Sequence, residues 1–521
     1  MPIEIIDADY SPSTFPGYRG NPLIETLPDF LSYTTTSLIN DLRNEVPGLH
    51  AQASRRQRDH WLGSLACNLF IPISRHIHLQ ELIDLIVRQG YQQHPICGPE
   101  DTRRIIEAYH RQQQGEQIAV RYPSTNQGVP LSLSVVGCSG IGKTYSVTEI
   151  LRLYPQAVRH PKWATGVDCV QIVYLRIECP SNGSVKALCA AIIAEIDNIT
   201  GENFTQIYCK GRATAESLKS AVAHLLAIYH VGLLVIDEIQ NLVLSRLERE
   251  VLFNFIVSLS NSLCVPLLFV GTPKIRKFMQ TDLRISRRFG TLGTLLWEPI
   301  KKGSGEWRGF ITELWRYNTL SNDDPEIPEE VEDALYDCSQ GVTDILIKLF
   351  VLAQKYVLVS ASTRRTPEKL TAKDIYDVYK EYCSPVHPMI DALRSNDPKE
   401  IERFEDVSFP KAVFDKASNE LTELLIKATN DDAVESDPKI IAGALLIQNL
   451  TVLGVEITDK VRATIDQVLE EQGFNNLKVA MNTVLSRIIN SEESTESAPP
   501  RRKRGKQSKK DLPAGDDSEL G

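Results

Sequence analysis

Eight consecutive residues, Gly137, Cys138, Ser139, Gly140, Ile141, Gly142, Lys143 and Thr144, fit the pattern G-x-x-x-x-G-K-[ST]. A chain of this length and average composition contains that pattern by chance roughly 2% of the time. Here it also leaves an apolar run and opens an amphipathic one, the setting phosphate binding requires. Glycines let the backbone wrap so that its N–H groups point at phosphate oxygens, and the helix N-terminus adds a favourable field. Lys143 is then placed to reach the β and γ phosphates of ATP, and the Thr144 hydroxyl to ligate Mg²⁺. Tyr145, the next residue, completes the candidate nucleotide-binding set.

A second group of residues offers the complementary chemistry. Gly232 and four apolar residues run into Asp237 and Glu238. A buried strand delivers such carboxylates to its C-terminal tip, where open α/β sheets bind ligands. Asp237 is the candidate second metal residue, and Glu238 the candidate base that polarises the attacking water. The following apolar run ends at Gly271, Thr272 and Pro273. Thr272 could touch the γ-phosphate or the lytic water, although a strand-end turn accounts for the same residues. Beyond it, Arg287 and Arg288, with Arg284 nearby, could complete a neighbouring subunit's site by stabilising phosphate charge in trans. Ordinary helix-surface arginines explain them equally well.

These residues need strands to carry them and helices to cover the strands. Apolar runs at 131–137, 170–177, 232–237 and 266–271 are separated by helical patterns at 144–154, 185–196, 216–229 and 248–263. Continuous apolar strands spaced by helices predict a parallel sheet covered on both faces, an α/β fold. A GTPase would need an N/T-K-x-D base-reading motif, and the chain has none. The adjacent Asp–Glu pair, followed by a sensor strand and helices alone, is the order of an AAA+ P-loop core.

Around that core, composition divides the chain into five parts. Residues 1–115 are proline-rich at first and then helical, with a stripe at 78–90 ended by Gly90; 116–295 form the ATPase core. Residues 296–395 read as a helical lid, with patterns at 307–317, 328–339 and 342–361, and 396–490 as a more charged helical region including 440–455. Residues 491–521 have almost no apolar content and are expected to be disordered. Hydrophobic residues at 42% and charged residues at 24% are ordinary for a globular protein. No 18 residues are uninterruptedly apolar and the start lacks a signal-peptide pattern, so no membrane partner and a cytoplasmic location are expected. The ten cysteines form no CxxC pair and read as reduced core residues, not a zinc site. A net charge of −10 argues against a protein that is basic throughout but leaves room for a local basic stripe.

Several phrases, in order, resemble the TniB/TnsC type of AAA+ ATPase, the target-selection regulators of Tn-seven-like transposons. They are Tyr18–Pro22 with Leu27–Pro28, Gly90–Tyr91 before His94–Pro95, and Val235–Leu242. Leu314–Tyr317 follows, then Ser339–Gly341 running into Asp344. The likeness spans roughly residues 15–360. It implies an ATPase that forms rings or filaments of itself around double-stranded DNA when ATP is bound. Such a protein receives a signal from a target-recognition protein and recruits transposase subunits, and hydrolysis clears the assembly. One departure stands out: where such lids often carry a sensor arginine after a helix-opening glycine, this chain has Asp344 after Gly341. Either Lys348 substitutes for the arginine or that sensor is absent.

Contacts with DNA would fall mainly on phosphates and weaken with salt. In a ring they should face the pore, with Lys186, Lys210, Arg212 and Lys219 as candidates beside the alternative of ordinary solvated side chains. Seven of the ten residues 501–510 are basic, a tail suited to DNA, to an acidic partner or simply to solubility. Two other functions compete with the transposition regulator. One is an initiator- or helicase-loader-like AAA+ ATPase, which an attached winged helix would favour; the other is a scaffold that binds ATP without turnover, which has no need of Glu238.

Overall fold

The computed structural model describes residues 5–43, 53–93, 131–163, 167–181, 184–211, 213–243, 246–275, 291–320, 325–364, 367–403, 411–431 and 458–472, with a few isolated positions besides. The chain separates into two compact units, Met1–Ala428 and Thr429–Gly521.

The first unit is built on a five-stranded, all-parallel sheet. Its strands are β2 (Ser132–Gly137), β5 (Leu175–Glu178), β6 (Leu234–Asp237), β7 (Leu267–Gly271) and β8 (Thr294–Trp297), in the spatial order β5-β6-β7-β2-β8. A strand thus lies between the phosphate-loop strand β2 and the acid-bearing strand β6. Alternate side chains serve the two faces, as the period of a strand demands. Leu133, Val135, Val235 and Val270 pack with helices α2 (Ser74–Gln93) and α3 (Lys143–Leu151). Val136, Leu234, Ile236 and Phe269 pack with α4 (Val185–Thr200), α5 (Ala215–Ile228) and α6 (Arg246–Leu263).

Three features depart from the sequence reading. The predicted strand at 170–177 is two strands in two sheets: β4 (Val167–Ile172) pairs antiparallel with β3 (Ala157–Trp163), and β5 joins the main sheet. β1 (Ile6–Asp7) completes the small sheet by pairing in parallel with β3. The chain changes sheets at Val173, whose N–H donates to the Gln156 carbonyl at 2.9 Å. Second, β8 carries the main sheet through Trp297, where helices alone were expected. Third, Gly90 does not end its helix, since α2 runs on to Gln93. A Cβ there would lie 2.5 Å from the Pro266 ring, so the glycine serves a close approach of helix to strand.

A helical lid follows: α7 (Gly305–Trp315), α8 (Glu329–Ser339), α9 (Thr343–Arg364), α10 (Ala372–Tyr382) and α11 (His387–Ser395). α9 is long and apolar enough over Thr343–Thr363 to cross a membrane by composition alone, with a mean hydropathy of 1.6. Most of that stretch is buried among the lid helices, which accounts for its apolar character. Helix α1 (Arg55–Asn68) belongs to the lid as well: Leu62 and Leu65 enter the lid core, and Asp59 meets Lys355 of α9 at 2.6 Å, both buried. Thr422, on α12 (Lys411–Asp431), donates to the second Asp59 oxygen at 2.8 Å. Between α1 and α2 the chain runs extended beneath both cores. Leu69, Ile71 and Ile73 point into the lid, and Phe70 points into the sheet.

The second unit contributes α13 (Asp459–Gln472), with Val461, Ile465, Val468 and Leu469 buried on one helical face. Of the helix expected at 440–455, only Leu446 and Leu450 fall among the described residues, and both are buried. The basic tail lies outside the described residues.

Candidate nucleotide-binding site

The glycine-rich loop joins β2 to α3, and two of its glycines are conformationally required. Gly140 has φ +78° and Gly142 φ +87°, in the left-handed region that L side chains enter at a cost. Gly137 faces a different constraint: a Cβ there would lie 2.6 Å from the Trp297 carbonyl oxygen of β8. Lys143 is buried, and its Nζ donates to the carbonyls of Gly137 and Cys138 at 2.8 Å each. Burial lowers its pKa, while Cys138, Glu238 and Asp237 oppose that shift.

The two motifs meet where β6 ends. The Thr144 hydroxyl donates to Asp237 Oδ1 at 3.2 Å, joining residues 93 apart in sequence. The second Asp237 oxygen accepts from Arg176 of β5 at 3.0 Å, and the same guanidinium donates to the Thr148 hydroxyl at 2.8 Å. A hydroxyl beside a carboxylate, both hard oxygen donors, suits a small divalent cation that keeps its other positions for water and phosphate. On the chemistry of the donor set, Thr144 and Asp237 fit Mg²⁺.

Glu238 follows with φ +53°, an uncommon backbone for a residue with a side chain. Burial raises its pKa first and Asp237 next, opposed by Lys143 and by the hydrogen bond from Gln240. Thr272 is buried at the tip of β7, and its N–H donates to Gln240 Oε1 at 3.0 Å. Its hydroxyl has no partner among the described residues and does not line the cleft above the loop.

From the lid, Thr343 donates through its hydroxyl to the Gly140 carbonyl at 3.2 Å, and the Asp344 N–H to the same oxygen at 3.0 Å. Asp344 pairs with Lys348 at 2.7 Å, and both line the cleft with Lys143, Thr144 and Glu238. Burial raises the Asp344 pKa against the pull of Lys348. Where such lids often carry a sensor arginine, this lid therefore holds an acid and a lysine paired with each other.

Beside the loop lies a pocket of about 260 Å³ lined by Phe70, Ile71, His76, Tyr145, Phe310 and Ile347, among others. His76 Nδ1 accepts from the Ile73 N–H at 3.0 Å, which leaves the ring proton on Nε2. Burial, and then Arg75, lower the His76 pKa to about 3, so the imidazole is neutral at physiological pH.

The loop residues from Gly137 to Tyr145, Asp237 and Glu238 thus come together. Arg287 and Arg288 lie outside the described residues, as do Arg284 and Arg212. Lys186 and Lys210 are exposed, whereas Lys219 pairs with Glu216 at 2.9 Å and sits over the Phe255 ring. Sequence reasoning missed Arg176, the bridging role of Gln240 and the whole apolar pocket. No motif marks them, since each depends on strands and turns brought together from distant parts of the chain.

Residues 128–279 match the model of a family described as the AAA domain. With the strand order β5-β6-β7-β2-β8 and the flanking helices, that match gives the core an AAA+ P-loop nucleotide-binding fold. No curated protein sequence matches the chain. Among solved structures, the chain is similar to the ORC1 protein of Aeropyrum pernix in complex with DNA: 14% identity, TM-score 0.30, 62% of this chain and 91% of that one. A Walker-type ATPase of Pyrococcus abyssi is 15% identical, with TM-score 0.33 over 63% of this chain and 89% of that one. AMPPCP-bound DnaA from Aquifex aeolicus is 15% identical, with TM-score 0.23 over 75% of this chain and 89% of that one. Likeness this distant carries no argument about substrate or partner.

Proposed function

We propose that the chain is an ATPase of AAA+ type whose nucleotide state governs its assembly on double-stranded DNA, linking target-site recognition to transposase recruitment. The observation that carries the catalytic half is the Thr144–Asp237 contact at 3.2 Å, with Glu238 beside it. It unites a phosphate loop, a metal-binding oxygen pair and a carboxylate in one cleft.

In this reading the loop N–H groups grip the phosphates, and Lys143 leaves its two carbonyl partners to neutralise the β and γ oxygens. The triphosphate points its nucleobase toward Phe70 and His76, where the apolar pocket excludes water. Thr144 and Asp237 would hold Mg²⁺, which would withdraw charge from the phosphate oxygens. Glu238 orients the lytic water and takes its proton. Thr343 and Asp344, bonded to the Gly140 carbonyl, tie lid position to the loop's occupancy.

The DNA-directed half rests on the ordered sequence phrases between residues 15 and 360 and on the exposed Lys186 and Lys210. Transposase subunits, a target-recognition protein and further copies of the chain are the partners that likeness implies. Two measurements test the proposal. Turnover of ATP by the wild type should exceed that of Glu238→Gln by about a hundredfold or more; equal rates would remove Glu238 from the reaction. Electron microscopy with duplex DNA should show rings or filaments with a non-hydrolysable ATP analogue, not with ADP, and fewer at high salt. Particles indifferent to DNA and nucleotide would leave an ATPase whose partners are proteins.

A further inference from the structure

We infer that Gln240 is the positioning residue for Glu238, fixing the carboxylate that faces the cleft by bridging it to the tip of β7. The inference rests on the ATPase reading and adds to it the device that aims its base.

The geometry begins with a carboxylate on an uncommon backbone. Glu238 has φ +53° and sits immediately after the last residue of β6. Its side chain is half-buried and its Oε2 accepts a hydrogen bond from Gln240 Nε2. At the other end of the same amide, Oε1 accepts the Thr272 N–H at 3.0 Å. The two ends of that amide cannot be exchanged. A backbone N–H can only donate, so it requires the oxygen of Gln240, and the NH₂ group is thereby turned toward the carboxylate.

The turn that carries Gln240, Ile239–Val243, is held from both flanks. Asn241 Nδ2 donates to the Cys179 carbonyl just beyond β5 at 2.9 Å, while Gln240 reaches β7. Gly271 makes room for the bridge. A Cβ at that position would lie 2.9 Å from Gln240 Oε1 and 2.5 Å from the Ile239 side chain. Gln240 therefore stands between Thr272 and Glu238. Among the described residues the Gln240 amide links the end of β7 to the carboxylate, and the Thr272 hydroxyl itself does not line the cleft.

A carboxylate without the bridge keeps its charge and its place in the chain but loses its fixed direction. Misorientation of a catalytic group lowers the rate of the bound complex without weakening ground-state binding. The test uses the full-length protein and steady-state ATP turnover. Gln240→Met keeps the side chain's length and removes both hydrogen bonds; Gln240→Asn keeps an amide too short to span them. Each should lower kcat by about tenfold or more with KM within about twofold. In a Glu238→Gln background, Gln240→Met should cost nothing further, because it acts only through that carboxylate.

An unchanged or raised kcat for folded Gln240→Met, a loss seen mainly in KM, or a multiplicative loss in the double variant would overturn the inference. If Gln240→Met does not fold, Gln240→Asn is judged by the same outcomes. Equal turnover of wild type and Glu238→Gln would instead bring down the catalytic reading, and this inference with it. The two failures are therefore told apart by whether Glu238→Gln alone is impaired.

Discussion

Acidification should destabilise the protein through His76, and the size of the effect follows from its surroundings. The ring is enclosed by Phe70 at 4.8 Å and Trp297 at 5.5 Å, and its Nδ1 is committed to the Ile73 N–H. Its pKa is about 3 in the fold against an ordinary value of 6.5. Burial is the larger cause and Arg75 the next, while Glu306, which pairs with Arg75 at 2.6 Å, pulls the other way. Between those two values the unfolded chain binds a proton that the folded chain refuses. The stabilisation is therefore complete above the unfolded pKa and is lost as pH falls toward the folded one. From about pH 7.5 to about pH 5 the loss from this residue is about 2 kcal/mol. Urea unfolding of wild type and His76→Asn at both pH values isolates it, because the variant retains an acceptor for the Ile73 N–H but has no titrating ring. The gap between the two proteins should narrow by about 2 kcal/mol on acidification. Parallel stability curves would refute the claim that the fold keeps this imidazole neutral.

Three further outcomes follow from contacts described above. Asp59→Ala removes the carboxylate partner of Lys355 inside the lid and should cost about 3–5 kcal/mol in chemical denaturation; a loss under about 1 kcal/mol would mean the lysine escapes to water. Gly90→Ala drives a methyl group against Pro266 and should cost about 1–3 kcal/mol, measured the same way, despite alanine's better helix propensity. Phe70→Ala removes a wall of the pocket beside the phosphate loop and should weaken ATP binding about tenfold in a fluorescent-nucleotide titration. Equal affinity would place the nucleobase elsewhere.

The parts of the site legible in the sequence are those in which neighbouring residues do neighbouring work. The loop from Gly137 to Thr144 is one strand-to-helix turn, and its positive-φ glycines announce it; Asp237 and Glu238 end a single apolar strand. Arg176 and Gln240 offered no such signal. Arg176 is, with Gln171, a polar residue in a mostly apolar run and matters because β5 lies beside β6. Gln240 matters because the turn after β6 passes over the end of β7. The run 170–177 looked continuous because apolar alternation does not record which sheet a strand joins. Gly90 looked like a helix stop because a glycine needed for contact and one needed for termination are the same letter.

The extended stretch from Leu69 to Ile73 has a mechanical consequence. The chain crosses between the sheet core and the lid core three times: from Leu42 to α1, along this stretch, and from Trp297 to Gly305. A body on one tether can swivel freely, whereas each further crossing removes some of that freedom. The lid is thus held to the sheet at three places, with Phe70 on the middle crossing and the pocket it lines beside it. Whatever fills that pocket touches both bodies at once, Phe310 and Ile347 on the lid side and Ile141 and Tyr145 on the other, and so acts as a wedge where the two meet.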